Sequence, residues 1–148
     1  SRQGNDLADL PIQTGALPWR VQGGRVEVLL VTSRRSGRWL IPKGWPMAGL
    51  SLAQAAAQEA YEEAGVHGII EPDPLGWLTH DKQHDLFGAM TVRIAVHALA
   101  VQRELATWPE LGQRKRRWFS LKQAVEQVDS AELAGLIRRL KSHARARH

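Results

Sequence analysis

The stretch from Gly44 to Val66, GWPMAGLSLAQAAAQEAYEEAGV, constrains the fold of this chain more than any other. Ser51 stands where a helix N-cap belongs, and Gln54, three residues on, completes a capping box. Gly65 occupies the place of a left-handed C-terminal glycine. The spacing therefore predicts a helix from Leu52 to Ala64. Ala53, Ala57, Ala60 and Ala64 form a stripe of small side chains suited to close packing on a sheet. Glu59, Glu62 and Glu63 fall on adjoining parts of one face, turned out to one side of that helix. No lysine, arginine or histidine accompanies them between Gly44 and Val66.

Three uncompensated acids near a helix C-terminus carry a cost. That end of a helix holds a partial negative charge, which disfavours each acid by about 0.3–1 kcal/mol. Glu59 and Glu63, one turn apart, add roughly a few tenths of a kcal/mol of mutual repulsion. A solvated acidic face is the ordinary reading of clustered charge. A hard divalent cation such as Mg²⁺ or Mn²⁺ is the other, because it takes oxygen ligands and reverses each of these penalties. The residues alone leave both readings open.

The chain has 148 residues, a length that predicts one compact domain over 1–148. Hydrophobic residues make up 43% and charged residues 24%, as in an ordinary soluble globular protein. No apolar run approaches the roughly 18 residues of a membrane span. The polar opening SRQGNDLADLP is unlike a signal peptide. The absence of cysteine excludes disulfides and thiolate metal sites. Together these predict a cytoplasmic protein with no membrane partner. The net charge of +5 points to an anionic partner. Basic residues gather at Arg34-Arg35, at Arg114-Lys115-Arg116-Arg117 and from Arg138 to His148, where residues 142–148 are expected to fray as a solvated helix end.

Strands are predicted over Gln13–Val21 and Val26–Thr32, then Arg38–Ile41, Gly68–Ile70, Gly76–His80, Ala89–Gln102 and Arg117–Ser120. Val92, Ile94, Val96 and Ala98 alternate onto one face. Thr79–Asp85, which holds His80, Lys82 and His84, reads as a loop. Helices are expected over Leu121–Val128 and Ala131–Lys141, with Ser120 and Ser130 as caps. Strands on both sides of one central helix, with helices last, indicate an α/β sandwich built on a mixed sheet.

Gly44, Glu59, Glu62, Glu63, Gly65 and Val66 match the pattern G-x5-E-x7-R-E-U-x-E-E-x-G-U, where U is bulky and aliphatic. On these residues the chain resembles the Nudix hydrolase family. Three positions depart from the pattern: Leu50 replaces its first Glu, Gln58 its Arg and Ala60 its first U. Gln13-Thr14-Gly15, Ser33-Arg34 before Arg38-Trp39, and Ile41-Pro42-Lys43-Gly44 are similar to diphosphoinositol polyphosphate and dinucleoside polyphosphate phosphohydrolases within the family. Trp108, followed by Gly112-Gln113-Arg114-Lys115-Arg116-Arg117-Trp118-Phe119, adds to that likeness.

The resemblance implies an α/β/α sandwich with the glutamate helix as its catalytic element. It further implies Mg²⁺- or Mn²⁺-dependent hydrolysis of a phosphoanhydride in a highly phosphorylated small molecule. Glu59, Glu62 and Glu63 are then the metal and base group, with the Gly44 carbonyl also directed at the metal. Glu59 and Glu63 are expected to ligate directly, and Glu62 to ligate or to help activate water. Arg20, Ser33, Arg34, Lys43, Lys82, Arg114, Lys115 and Arg116 are the expected substrate contacts. Trp19, Trp45 and Trp77 are expected to pack, with stacking on a base open to Trp45. Two alternatives stand beside this reading. One is removal of 5′ pyrophosphate or a cap from RNA, with the basic segments tracking the backbone. The other is a non-catalytic binding domain, which Leu50 and Gln58 would permit.

Overall fold

The computed structural model describes residues 9–84, 86 and 88–147. In chain order the elements are β1 (Ile12–Gln22), β2 (Arg25–Thr32), β3 (Trp39–Leu40), β4 (Lys43–Gly44), α1 (Leu52–Ala64), β5 (Val66–Ile70), β6 (Gly76–His84), β7 (Gly88–Glu104), β8 (Arg116–Ser120), α2 (Leu121–Gln127) and α3 (Ala131–Arg147). The strands form one mixed sheet. β7 runs parallel to β1 along Ile12–Trp19 and antiparallel to both β6 and β5 on its other edge.

The β1–β2 hairpin is closed at its turn and splayed at its open end. Trp19–Gln22 pairs with Arg25–Val28, but farther along the two strands part. β2 then takes β3 at Val31 and Thr32, while β1 takes β4 at Thr14 and Gly15. Residues 39–44 thus lie in the gap, and the Ala16 amide donates to the Pro42 carbonyl at 3.0 Å. This wedge carries Lys43 and Gly44 to the end of α1.

Alternation along the strands gives each face of the sheet its own core. Ala16, Leu29, Val31 and Leu99 face α1, meeting Ala56, Ala60 and Ala64. Leu17, Val28, Leu30, Val92, Ile94, Val96 and Ala98 face the other way, toward Ala124 of α2 and Leu133, Leu136, Ile137 and Leu140 of α3. The result is an α/β/α sandwich on a mixed sheet, as the resemblance implied.

The boundaries of α1 match the sequence reading. The Ser51–Gln54 capping box is formed in both directions, and Gly65 adopts φ 65°. Three expectations need correction. The buried stripe of α1 runs through Ala56 rather than Ala57, which is half-buried. Thr79–His84 is not a loop but the second half of β6, paired with Gly88–Arg93; Asp85 lies outside the described residues. Among the described strands β6 pairs only with β7, and on its other edge the Thr79 amide donates to Glu132 Oε1 at 2.9 Å. Finally, the basic end continues α3 to Arg147 instead of fraying at 142. Ala144 is fully buried there, and Arg147 pairs with Glu71 at 3.2 Å.

Candidate functional site

A cleft of about 910 Å³ opens on the α2–α3 side of the sheet, next to the wedge. Its floor follows from strand alternation: Gln13 of β1, Ile94 of β7 and Leu78 of β6 stand in one registered row. Lys43, opposite Gly15, lies one row along, and His80 and Lys82 continue the same face of β6. The turn Ser33–Arg38 and the start of α3 form the walls. Gln13 is 1% exposed, and its Oε1 has no hydrogen-bond partner. Trp45 is exposed and supports the Lys82 ammonium 4.9 Å above its ring.

Of the two readings left open for the acids of α1, a solvated face does not fit Glu63. Glu63 is buried and lines the cleft, where the Lys43 amide donates to its Oε1 at 3.4 Å. The Glu59 carboxylate packs against Gly44 so closely that any Cβ there would collide with it. Glu59 and Glu63, one turn apart, crowd each other at this end of the helix. Burial, then repulsion from Glu63, pushes the Glu59 carboxyl up to about 8. Burial likewise raises Glu63. Glu62 accepts from Gln58 Nε2 at 2.8 Å, so the residue at the signature's arginine position still orients one glutamate, without charge.

The cleft itself is cationic. Burial and the neighbouring Lys82 pull Lys43 down to about 8. Burial, then Lys43 and Lys82, pulls His80 down to about 4. Two like charges held together in a half-closed cleft are the mirror image of the paired glutamates, and an anion would relieve them. Ser33, Arg34, Lys43, Lys82 and Arg114 all line this cleft.

Three expected substrate contacts lie elsewhere. Arg20 bonds Glu27 at 2.8 Å and stacks on Trp118 at 4.1 Å. Lys115 is exposed, and its backbone is tied to Thr32 at 2.9 Å. Arg116 turns the opposite way from the cleft and grips the end of α1, donating to Ala64 O at 2.8 Å, Gly65 O at 3.2 Å and Leu105 O at 2.8 Å. Its guanidinium stacks on Trp108 at 3.9 Å. Gly65 is required here twice over, by its positive φ and because a Cβ would strike the Trp108 ring. The sequence reading missed this clamp because its partners are about fifty residues apart. It places a cation at the negative end of α1 and offsets part of the cost of acids there.

Among the described residues no three His, Asp or Glu side chains form a closed metal cage. The donor chemistry nevertheless fits a hard divalent ion. Mg²⁺ takes one or two carboxylates and completes its shell with water and substrate phosphate. Two crowded carboxylates beside a cationic cleft are such a set. Glu59 and Glu63 would hold the ion.

Comparison with known proteins identifies the family of this fold. The family described as NUDIX domain matches residues 10–140. The chain belongs to the Nudix family. Nudix hydrolase 21, chloroplastic, of Arabidopsis thaliana is 35% identical over 137 residues, covering 85% of this chain and 66% of that protein. Diphosphoinositol polyphosphate phosphohydrolase 2 of Rattus norvegicus is 35% identical over 104 residues, covering 68% of this chain and 53% of the other. This Nudix chain thus spans about half to two thirds of the length of these curated relatives. A solved Ap4A hydrolase of C. elegans shares its fold, with a TM-score of 0.66 and 22% identity over 91% of this chain and 98% of the other. No described helix is long and apolar enough to cross a membrane. The compartments in the relatives' names, chloroplast and mitochondrion, differ from the cytoplasmic one expected above.

Proposed function

We propose that this Nudix chain hydrolyses a phosphoanhydride bond in a highly phosphorylated small molecule, with Mg²⁺ or Mn²⁺ held by Glu59 and Glu63. The observation that carries the reading is the crowded pair Glu59–Glu63 set directly against the cationic cleft of Lys43 and Lys82. A bound divalent ion supplies charge neutralisation at non-bridging phosphate oxygens and lowers the pKa of a water.

The chain's own side chains do the rest. Lys43 and Lys82 hold the phosphate chain over the sheet floor, and Arg34 and Ser33 receive its far end. Arg34 is braced for this by Gln113, whose Oε1 accepts from Nη1 at 2.9 Å. Gln58 fixes Glu62 beside the pair, and the glutamates together take up the proton of the attacking water. Trp45 flanks the phosphate path, and the ring it leaves exposed suits the non-phosphate part of the substrate.

The names of the relatives supply the first substrates to try, a diphosphoinositol polyphosphate and Ap4A. The test is product analysis of these two, nucleoside triphosphates and 5′-triphosphorylated RNA, with Mg²⁺, with Mn²⁺ and with EDTA. Metal-dependent turnover of a small polyphosphate, abolished in Glu63→Gln, is the expected result. Preference for the RNA moves the assignment to 5′-end processing. Absence of turnover on every substrate ends the hydrolase reading in favour of a binding domain.

A further inference from the structure

We propose that a second pocket, at the far end of α3 from the cleft, is a non-catalytic binding site for a phosphorylated small molecule, held by Arg25, Lys141 and Arg145. It stands whether or not the chain is a hydrolase.

The two sites lie at opposite ends of the β1–β2 hairpin. The open end holds the wedge and the cleft, and the closed end, where α3 finishes, holds this pocket. Its volume is about 640 Å³, inside the range of about 300–1,000 Å³ usual for small-molecule sites. Leu133 lines the cleft and Arg145 the pocket. At about 1.5 Å per residue, the two are roughly 18 Å apart along the helix. Gly23 and Gly24 both have positive φ and close the hairpin in two residues, which brings Arg25 into register with Gln22 beside the pocket.

The floor is apolar and the walls are cationic. Val21 and Val26 of the hairpin and Leu121 of α2 pack on the core, and Ala144 is fully buried. Arg25 comes from the hairpin, and Lys141 and Arg145, one turn apart, come from α3. No carboxylate lines the pocket. Among the described residues none of the three cations forms an ion pair. The hairpin's own acid, Glu27, is held by Arg20 at 2.8 Å, and Arg147 of the same helix finds Glu71 at 3.2 Å. The partial negative charge at the end of α3 favours cations there, but it does not account for Arg25, which stands on a strand. Three like charges converging on one cavity repel one another, and an anion relieves that repulsion.

The lining also selects the kind of anion. Ser120 is spent on its own helix cap: its hydroxyl accepts from the Gln123 amide at 3.1 Å, and its amide donates to Gln123 Oε1 at 3.2 Å. Binding therefore falls to the three cations, and the planar fork of arginine matches phosphate. None of the exposed large hydrophobic residues lines the pocket, so a bilayer finds no anchor there. No aromatic ring lines it either, so a nucleic acid finds no platform for its bases. A compact molecule carrying more than one phosphate fits both the apolar floor and the cationic walls.

The test is an NMR titration of the full chain with inorganic tripolyphosphate in EDTA, followed at the backbone amides. Those of Gly24, Arg25 and Ala144 should shift together and saturate, as a binding event separate from the one reported by the Lys43 amide. In Arg25→Gln the affinity at this pocket should fall about tenfold, and in Arg25→Gln/Arg145→Gln about a hundredfold, the worth of one and of two charge-assisted hydrogen bonds. The Lys43 amide should titrate as in wild type in both variants, which also shows that the fold is intact. Lys43→Gln should do the reverse.

Amides of Gly24, Arg25 and Ala144 that stay still at millimolar tripolyphosphate overturn the inference, as do shifts there that both substitutions leave unchanged. Two parallel arms use phosphatidylserine vesicles and single-stranded oligouridylate. Tighter binding of either than of tripolyphosphate, lost in Arg25→Gln/Arg145→Gln, gives the surface to a membrane or a nucleic acid and overturns it too. A silent Lys43 amide counts against the cleft alone, because the pocket is decided by its own amides.

Discussion

Against one face of the sheet α1 lays only alanines, over Ala16, Leu29, Val31 and Leu99, while α3 covers the other face with leucine and isoleucine. Ala16, Ala56, Ala60 and Ala64 are fully buried yet bring little apolar surface. At about 0.8 kcal/mol per buried methylene, a layer of this kind stabilises far less than Leu17, Leu30, Ile137 and Leu140 on the opposite side. What it gives is proximity: a helix backbone drawn close to the sheet has few positions available to it. Polar devices fix the rest. Thr14 Oγ1 donates to Leu52 O at 2.6 Å at the start of α1, and Arg116 holds its end. One face places the acids and the other holds the fold together.

That division can be broken in four ways, from the largest effect to the smallest. Glu59→Gln should lower kcat by about a thousandfold or more, the scale of losing a group that acts in the reacting complex. Its thermal midpoint should stay level or rise in EDTA, since a repulsion is removed; a fall would place Glu59 among the stabilising contacts. Leu140→Ala should do the opposite, costing about 2–5 kcal/mol in denaturant unfolding while leaving kcat per folded molecule within about twofold. Ala60→Leu tests the thin layer itself. Overpacking there should cost about 1–3 kcal/mol and also depress kcat, because α1 must lift and take its glutamates with it. A variant equally unstable but fully active would show that the close approach does not matter to the site. Arg147→Ala removes an exposed ion pair with Glu71 and should change stability by less than about 1 kcal/mol, with no kinetic effect.

The features legible in the sequence were those determined by near neighbours. The ends of α1 rest on Ser51, Gln54 and Gly65, each acting within a few residues, and alternation placed Val92, Ile94 and Val96 on one face. The glutamate spacing pointed to the site for the same reason. What depended on distant partners was hidden. Arg20, Lys115 and Arg116 are as basic as Lys43, and nothing local separates a residue that finds Glu27 or a helix terminus from one that faces the cleft. The polar run Thr79–His84 pairs as a strand because β7 lies alongside it, a fact carried by β7 rather than by the run. The end of α3 failed similarly: a basic segment looks solvated until Ala144 is seen to close a core built from other elements.

The splayed hairpin has a consequence for motion. β3 and β4 are each held by two registered residues, whereas β1 runs against β7 without interruption from Ile12 to Trp19. Short ladders have small opening free energies and long ones approach the global value. Under native conditions the amides of the inserted segment should therefore exchange with solvent deuterium well before those of its neighbours. A polyphosphate seated on Lys43 would slow exchange there first, so occupancy can be read on the slow timescale of backbone opening with no turnover at all.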